Sequence, residues 1–374
     1  MKQSYPAEVF PPGDTILEQL QARDWTQSDL AVIIGRSDKV VNDLIKGRKS
    51  IDPKIAMALA AAFGTSPDLW LNLESTYRLG QTQLKVDDIA HRAQIYSKAP
   101  VKEMIRRHWI EDSRNPEVLE NNVRSYLGIE SLKDDPMILP HAARKSSPYD
   151  EVSPAQTVWL IRARQLAERL VAKPFASGRF RKSLDNLRPL LRHPEEIRMV
   201  PNVLAEGGVR LVVVESLKGA KLDGACFWID PKSPVVALSM RYDRIDYFWH
   251  TLMHELGHIH HGDGFSVDKD VMPREEHSDR PENERQADAF AVSKLVSQEN
   301  LDDFILRVGP LYSKQRLLGF ANVEQVHPGI VLGQLHYRGE IAYSQNRPLL
   351  AKVRSIITTS ALTDGFGTML PAFV

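Results

Sequence analysis

The sequence is poor in cysteine, in net charge and in long apolar runs. Cys226 is the only cysteine among 374 residues, which excludes an intramolecular disulfide and a zinc ribbon built from cysteines. Lys and Arg number 48, as do Asp and Glu, so no global positive field draws this chain to nucleic acid or to a membrane surface. The richest apolar stretch, residues 55–63, is too short to cross a bilayer, and the first residues hold no apolar signal core. These absences predict a cytoplasmic protein without a membrane partner, in which any nucleic-acid binding is local.

The length of 374 residues exceeds one ordinary domain, so we expect several independent cores. Apolar periodicity with helix punctuation predicts an all-α N-terminal domain. Further along the chain, three β-branched runs predict strands that precede two long helices, which indicates a second domain of the α+β class. The predicted strands are 209–214, 225–229 and 235–239, and the predicted helices are about 245–260 and 283–296. The predicted division is an N-terminal domain at 1–80, a helical connector and proline-rich linker at 81–156, the α+β domain at 157–345 and a tail at 346–374.

Two short helices joined by a tight turn stand in the N-terminal domain. The segment Thr26-Gln27-Ser28-Asp29 is typical of a helix capping box, Gly35 stops that helix, and Ser37 is placed to cap the next one. We expect Leu30, Ile33 and Ile34 to face the core. This spacing is that of a helix-turn-helix, whose second helix lies in the major groove of DNA.

Polar side chains on these helices are predicted to contact either base edges or phosphates. Ser37, Lys39 and Asn42 lie near the start of the second helix, where side chains reach base edges. Asp38 and Asp43 place negative charge on the same helix, so we expect weak binding by a monomer and a homodimer that reads two half-sites of an operator in double-stranded DNA. The alternative is a helical bundle that makes protein contacts only. The residues expected to hold phosphates are Gln27, Arg36, Lys46, Arg48 and Lys49.

The segment His254-Glu255-Leu256-Gly257-His258 carries the sharpest chemical signal in the chain. On a helix, positions i and i+4 share a face, so both imidazoles can reach one cation while the intervening Glu255 serves as general base. A later helix offers Glu284 and Asp288, of which one can be the third metal ligand and the other can orient a ligating histidine. Glu282 competes for the third position, and Glu284 is the preferred ligand.

Two histidines and a carboxylate leave a coordination place for water, which is typical of a catalytic zinc site. Zinc in such a site acidifies water and polarises a peptide carbonyl, with Glu255 as proton acceptor, so the pattern predicts a zinc-dependent endopeptidase. His250 lies one further turn back, too far to bind the same ion, and is expected in the second layer around the site or in the core. Two alternatives stay open: a pair of surface histidines without metal, and a zinc ion that only stabilises the fold or senses a signal.

Two family resemblances follow from these motifs. Residues 8–80, with PPGDTILEQL, TQSDLAVIIGRS and GTSPDLWLNL, resemble the phage-repressor-type (XRE) helix-turn-helix of HigA antitoxins. Residues 200–340, with HELGH, ENERQADAFA and HPGIVLGQLHYRGEI, resemble the ImmA/IrrE metallopeptidases. The second resemblance implies a zincin-like fold and cleavage of helix-turn-helix repressors. It also implies roles for four residues: zinc ligation by His254, His258 and Glu284, and catalytic base for Glu255.

Three hypotheses follow for the whole chain. The first is a DNA-binding transcriptional regulator whose zinc endopeptidase domain cleaves a repressor-type protein or its own chain. The second is a HigA-like antitoxin and regulator whose peptidase-like domain is a non-catalytic sensor. The third is a protein that neutralises a toxin by contact alone.

Overall fold

The chain divides into two units, residues 1–89 and 90–374, and the computed structural model describes residues 10–81, 86–136, 152–268 and 281–366. The described helices are α1 Pro12–Gln21, α2 Gln27–Ile33, α3 Asp38–Ile45, α4 Pro53–Phe63, α5 Pro67–Gln81, α6 Val86–Lys98, α7 Val101–Arg106, α8 Pro116–Leu127, α9 Pro154–Ala167, α10 Ser177–Leu187, α11 Val200–Gly207, α12 Ile245–His261, α13 Glu282–Leu295, α14 Gln298–Val308, α15 Lys314–Glu324, α16 Pro328–Tyr337 and α17 Arg354–Ile357. The described strands are β1 Arg210–Val214, β2 Gly224–Trp228, β3 Pro234–Leu238, β4 Phe265–Asp268 and β5 Leu362–Asp364. None of the described helices combines the length and the apolar character needed to span a bilayer.

Helix caps explain where the elements of the first unit begin. Thr26 and Asp29 form the predicted capping box: the Asp29 amide donates to Thr26 Oγ1 at 3.1 Å, and the Thr26 amide donates to Asp29 Oδ2 at 2.7 Å. Asp52 caps α4 in the same manner, because its carboxylate accepts the Ile55 amide at 2.8 Å. Ser37 occupies the N-cap position of α3 but its side chain makes no capping bond, so that prediction is wrong.

The core of the first unit is smaller than the apolar pattern predicts. Leu30, Val41 and Trp70 are fully buried. Ile33, predicted to face the core, is 48% exposed, and the neighbouring Val32 is 82% exposed. The buried positions of α2 are 30 and 31, and Ile33 lies about 110° around the helix from the middle of that pair.

A sheet with the order β4-β2-β3-β1-β5 organises the described part of the second unit. Strand β1 pairs in parallel with β3 and β5, whereas β2 pairs antiparallel with β3 and β4. The three predicted strands are confirmed to within a residue or two. Strands β4 and β5 were not predicted; β5 lies in the predicted tail, so the structure assigns that segment to the second unit.

Both faces of the sheet are covered, and this changes the predicted division of the chain. Leu211 and Val213 of β1 face one apolar core, which also contains the apolar side of α12, and Val212 faces the other. That second core includes Met104 of α7 and Leu119 of α8, which belong to the predicted connector. Residues 90–136 of the predicted connector therefore belong to the second unit, and residues 137–151 of the predicted linker lie outside the described residues.

Candidate functional site

Helix α12 carries both histidines of the predicted metal site, and its residues 245–259 are all buried. His254 Nε2 and His258 Nε2 lie 3.1 Å apart. Glu284 Oε2 lies 3.3 Å from His254 Nε2, and Glu284 Oε1 lies 3.7 Å from His258 Nε2. Two ring nitrogens and a carboxylate oxygen thus converge within 4.8 Å of one another, a donor set that fits zinc. We call these three residues the triad.

A carboxylate holds the far nitrogen of each triad imidazole. Asp288 Oδ1 lies 2.7 Å from His254 Nδ1, and Asp263 Oδ2 lies 2.9 Å from His258 Nδ1. Because an ionised carboxylate only accepts hydrogen bonds, each Nδ1 carries the proton and donates it, which leaves the Nε2 lone pairs directed at the triad centre. This arrangement is common around metal-binding histidines and raises their basicity.

The sequence pattern was not used to predict that Asp263 contacts His258, although a local signal for this contact exists. Gly262 ends α12 in the left-handed region with φ of 81°, and the Asp263 amide then donates to the His258 carbonyl at 2.9 Å. This turn folds the Asp263 side chain back onto His258. A glycine stop followed by Asp, five residues after the second histidine, is the signal that could have identified it.

The close approach of α13 to α12 depends on a small residue in the motif. A Cβ on Gly257 would lie 3.1 Å from the Cα of Ala287, tighter than ordinary packing. Glu284 lies one turn before Ala287 and reaches the triad from there. Glu282 points elsewhere: its side chain is 64% exposed, pairs with Arg285 and accepts from Gln286 Nε2 at 3.0 Å. The structure therefore places Glu284, not Glu282, at the histidines.

Glu255 and His250 lie beside the triad on the same helix. Glu255 is fully buried, and its carboxylate lies against the first residue of β2, because a Cβ on Gly224 would come within 2.2 Å of Glu255 Oε1. The His250 ring centroid is 6.4 Å from that of His254 and 6.3 Å from that of Tyr337. His250 is not one of the three converging residues.

In the first unit, α2 and α3 are joined by the turn at residues 34–37, in which Gly35 has φ of 63°. Asn42 is half-buried. Arg48 Nε lies 3.7 Å from Asp43 Oδ1, so part of its charge is balanced within the protein. Asp38 is exposed in the first turn of α3. The other predicted DNA contacts, all exposed, are Gln27, Arg36, Ser37, Lys39, Lys46 and Lys49.

Comparison with known proteins bears on this first unit. Residues 16–70 match the helix-turn-helix family model HTH_3. The first unit contains a helix-turn-helix domain of the XRE type. The helix-turn-helix domain is similar to YddM of Escherichia coli K12, an uncharacterized HTH-type transcriptional regulator, with 29% identity over 76 residues, 20% of this chain and 81% of YddM.

Two solved structures are similar to the helix-turn-helix domain. A candidate antidote protein of a plasmid maintenance system from Nostoc punctiforme is 33% identical, with 20% of this chain and 82% of that chain covered and a TM-score of 0.20. The Pseudomonas aeruginosa antitoxin HigA, solved with the higBA promoter, is 31% identical, with 20% and 82% covered and a TM-score of 0.19. These likenesses cover about a fifth of the chain.

Proposed function

We propose that this protein is a DNA-binding transcriptional regulator with a HigA-like helix-turn-helix, whose second unit is a zinc-dependent endopeptidase acting on a repressor-type protein or on its own chain. The observation that carries the peptidase part is the convergence of His254, His258 and Glu284, with the far nitrogen of each ring held by a carboxylate. The zinc content of the purified chain tests this part.

In this proposal the triad residues hold the zinc ion, which supplies a water of lowered pKa and polarises the scissile carbonyl when bound. Glu255 takes the proton from the attacking water and returns it to the leaving amine. Asp263 and Asp288 keep the proton on the outer nitrogen of each imidazole, so the inner nitrogen stays available as a ligand. The burial of the histidines strengthens these electrostatic interactions, because little water competes with them.

A second candidate function is a HigA-like antitoxin and regulator, with a toxin protein as partner, in which the metal centre senses zinc without hydrolysis. The complete burial of Glu255 against Gly224 favours it, since a general base needs access to its water. Removal of the Glu255 carboxylate distinguishes the two functions. A peptidase loses its cleavage activity, whereas a sensor has no cleavage activity to lose.

The carboxylates behind the histidines give a first prediction. Asp263→Asn and Asp288→Asn should each weaken zinc binding by roughly 10- to 100-fold, because an amide is a poorer acceptor for an imidazole N–H. Competition with a chromophoric chelator measures this affinity, and Asp303→Asn on the exposed side of α14 is the matched control. Wild-type affinity in both variants would show that these carboxylates do not orient the zinc ligands.

The DNA-binding part of the proposal depends on the helix-turn-helix match and on the exposed basic side chains around α3. The net charge of this region gives little general attraction to DNA, because the acidic side chain of Asp38 is also exposed at the start of α3. We therefore propose that a homodimer binds two half-sites, which doubles the number of phosphate contacts.

A second prediction separates base contacts from phosphate contacts. Asn42→Ala should weaken binding to the chain's own upstream DNA by roughly 5- to 150-fold and relax sequence preference, because an Asn–base pair contributes about 1–3 kcal/mol. Lys46→Ala should weaken binding to all sequences and reduce the salt slope by about 1. Fluorescence anisotropy across a salt series measures both, with Lys54→Ala on exposed α4 surface as control. Unchanged affinity in both variants would place the DNA contacts elsewhere.

A further inference from the structure

A cavity of about 220 Å³ lies in the second unit, one helical turn from the triad. We call it the His250 cavity. Its walls come from α12, α13, α14 and α16. The residues that line it include Asp246, His250, Val292, Leu295, Ile330 and Gln334.

The His250 cavity lies along the same side of α12 as the triad histidines. Asp246 and His250 precede His254 by two turns and one turn, so they share its side of α12. Val292 and Leu295 follow Asp288 on α13 by one and two turns. The two helices that supply the zinc ligands therefore also supply two walls of the cavity.

Several polar side chains of the walls have hydrogen-bond partners within the protein. Gln298 Nε2 donates to Gln334 Oε1 at 3.0 Å, and Gln298 Oε1 accepts from Arg338 at 2.5 Å. Arg244 donates to both oxygens of Asp246, at 3.1 and 2.5 Å. Because the charges of Asp246 and Arg338 are already paired, a charged guest would lose its hydration without gaining a free counter-charge from either of them.

Apolar side chains form another part of the walls. Leu295 and Ile330 are each 1% exposed. A Cβ on Gly333 would lie 2.5 Å from Asp246 Cβ, so the absence of a side chain there lets α16 pack closely against α12. A cavity of about 150 Å³ is large enough to take benzene. The His250 cavity therefore has room for a side chain of leucine size.

We propose that the His250 cavity binds a medium-sized aliphatic side chain, such as leucine, next to the scissile bond of the peptide substrate. This inference rests on the proposed peptidase function and specifies its substrate class: a peptide with an aliphatic residue, not a charged one, beside the cleaved bond. Val292, Leu295 and Ile330 determine this specificity.

The test uses zinc-loaded full-length protein and amino-acid hydroxamates, which bring a zinc-binding group and a side chain in one molecule. Calorimetry should show leucine hydroxamate binding at least about tenfold more tightly than glycine hydroxamate, with aspartate hydroxamate no better than glycine hydroxamate. Val292→Phe, which fills the cavity, should remove the preference for leucine. Ala289→Phe, on the exposed side of the same helix, should keep it.

A second variant tests the same proposal in case the Val292→Phe chain does not fold. Leu295→Ala enlarges the cavity and should shift the preference towards phenylalanine hydroxamate. Equal binding of glycine and leucine hydroxamates by a zinc-loaded wild-type chain would overturn the specificity proposal and leave the zinc site intact. Equally tight binding of leucine amide, which lacks the zinc-binding group, would overturn it in favour of a free small ligand. A chain that takes up no zinc would overturn the proposed function itself, and the specificity proposal with it.

Discussion

Replacing Glu255 by Gln is expected to lower the rate of peptide cleavage by about 10²- to 10⁴-fold and to leave the zinc content unchanged. Gln has the shape of Glu but cannot accept a proton at neutral pH, so proton transfer from the attacking water is lost. The substitution leaves the three triad residues, which are the proposed zinc ligands, unchanged. Mass spectrometry of self-cleavage products and of a mixed peptide library, read over time, measures the rate.

Glu299→Gln is the control for this experiment, because Glu299 is an exposed carboxylate in the first turn of α14, outside the triad. It should cleave at the wild-type rate. If the Glu255→Gln chain also cleaves at the wild-type rate, Glu255 is not the base. If neither the wild type nor the variant cleaves any peptide while both hold zinc, the sensor function takes the place of the peptidase.

The second large effect concerns the metal itself. His258→Ala leaves the triad with two donors, His254 and Glu284, and should reduce the zinc content of the dialysed chain from about one per chain to near zero. Zinc that binds only the folded state stabilises it by about 2.7 kcal/mol at one hundred times the dissociation constant, which raises the melting temperature of the wild type by roughly 3–5 °C. The variant should show no such rise.

His261→Ala provides the matched control, because His261 is an exposed histidine at the end of the same helix. It should keep both the zinc content and the zinc-dependent rise in melting temperature. A His258→Ala chain that binds zinc as the wild type does would show that the ion lies elsewhere, and the triad would lose its assigned role.

Local signals predicted much of this fold. The capping box at Thr26, the glycine stops and the apolar periodicity of α12 depend on neighbouring residues, so they can be read along the chain. The spacing of His254 and His258 is equally local, since one helical turn separates them.

Features that depend on distant residues could not be predicted. Strand β5 has three residues and is formed only because β1 offers it a parallel edge. The helices of the predicted connector pack on the sheet because its second face is apolar, a fact that appears only when the strands are assembled. Ile33 was wrongly placed in the core because an apolar pattern does not reveal which side of a short helix the rest of the domain covers.

The His250 cavity also depends on distant residues, whereas Asp263 follows from a local signal that the sequence reading did not use. The orientation of Asp263 follows from the turn at Gly262, which redirects the chain by one residue in the left-handed region. The cavity arises where four helices meet. Its size is set by tertiary packing, which no short pattern encodes.

The decisive measurement for the proposed metal site is the zinc content of the purified full-length chain, determined by plasma mass spectrometry after dialysis against a metal-free buffer. Convergent donors from His254, His258 and Glu284 predict about one zinc ion per chain. A chain that is folded, contains no zinc and takes up none when zinc is added would contradict the account.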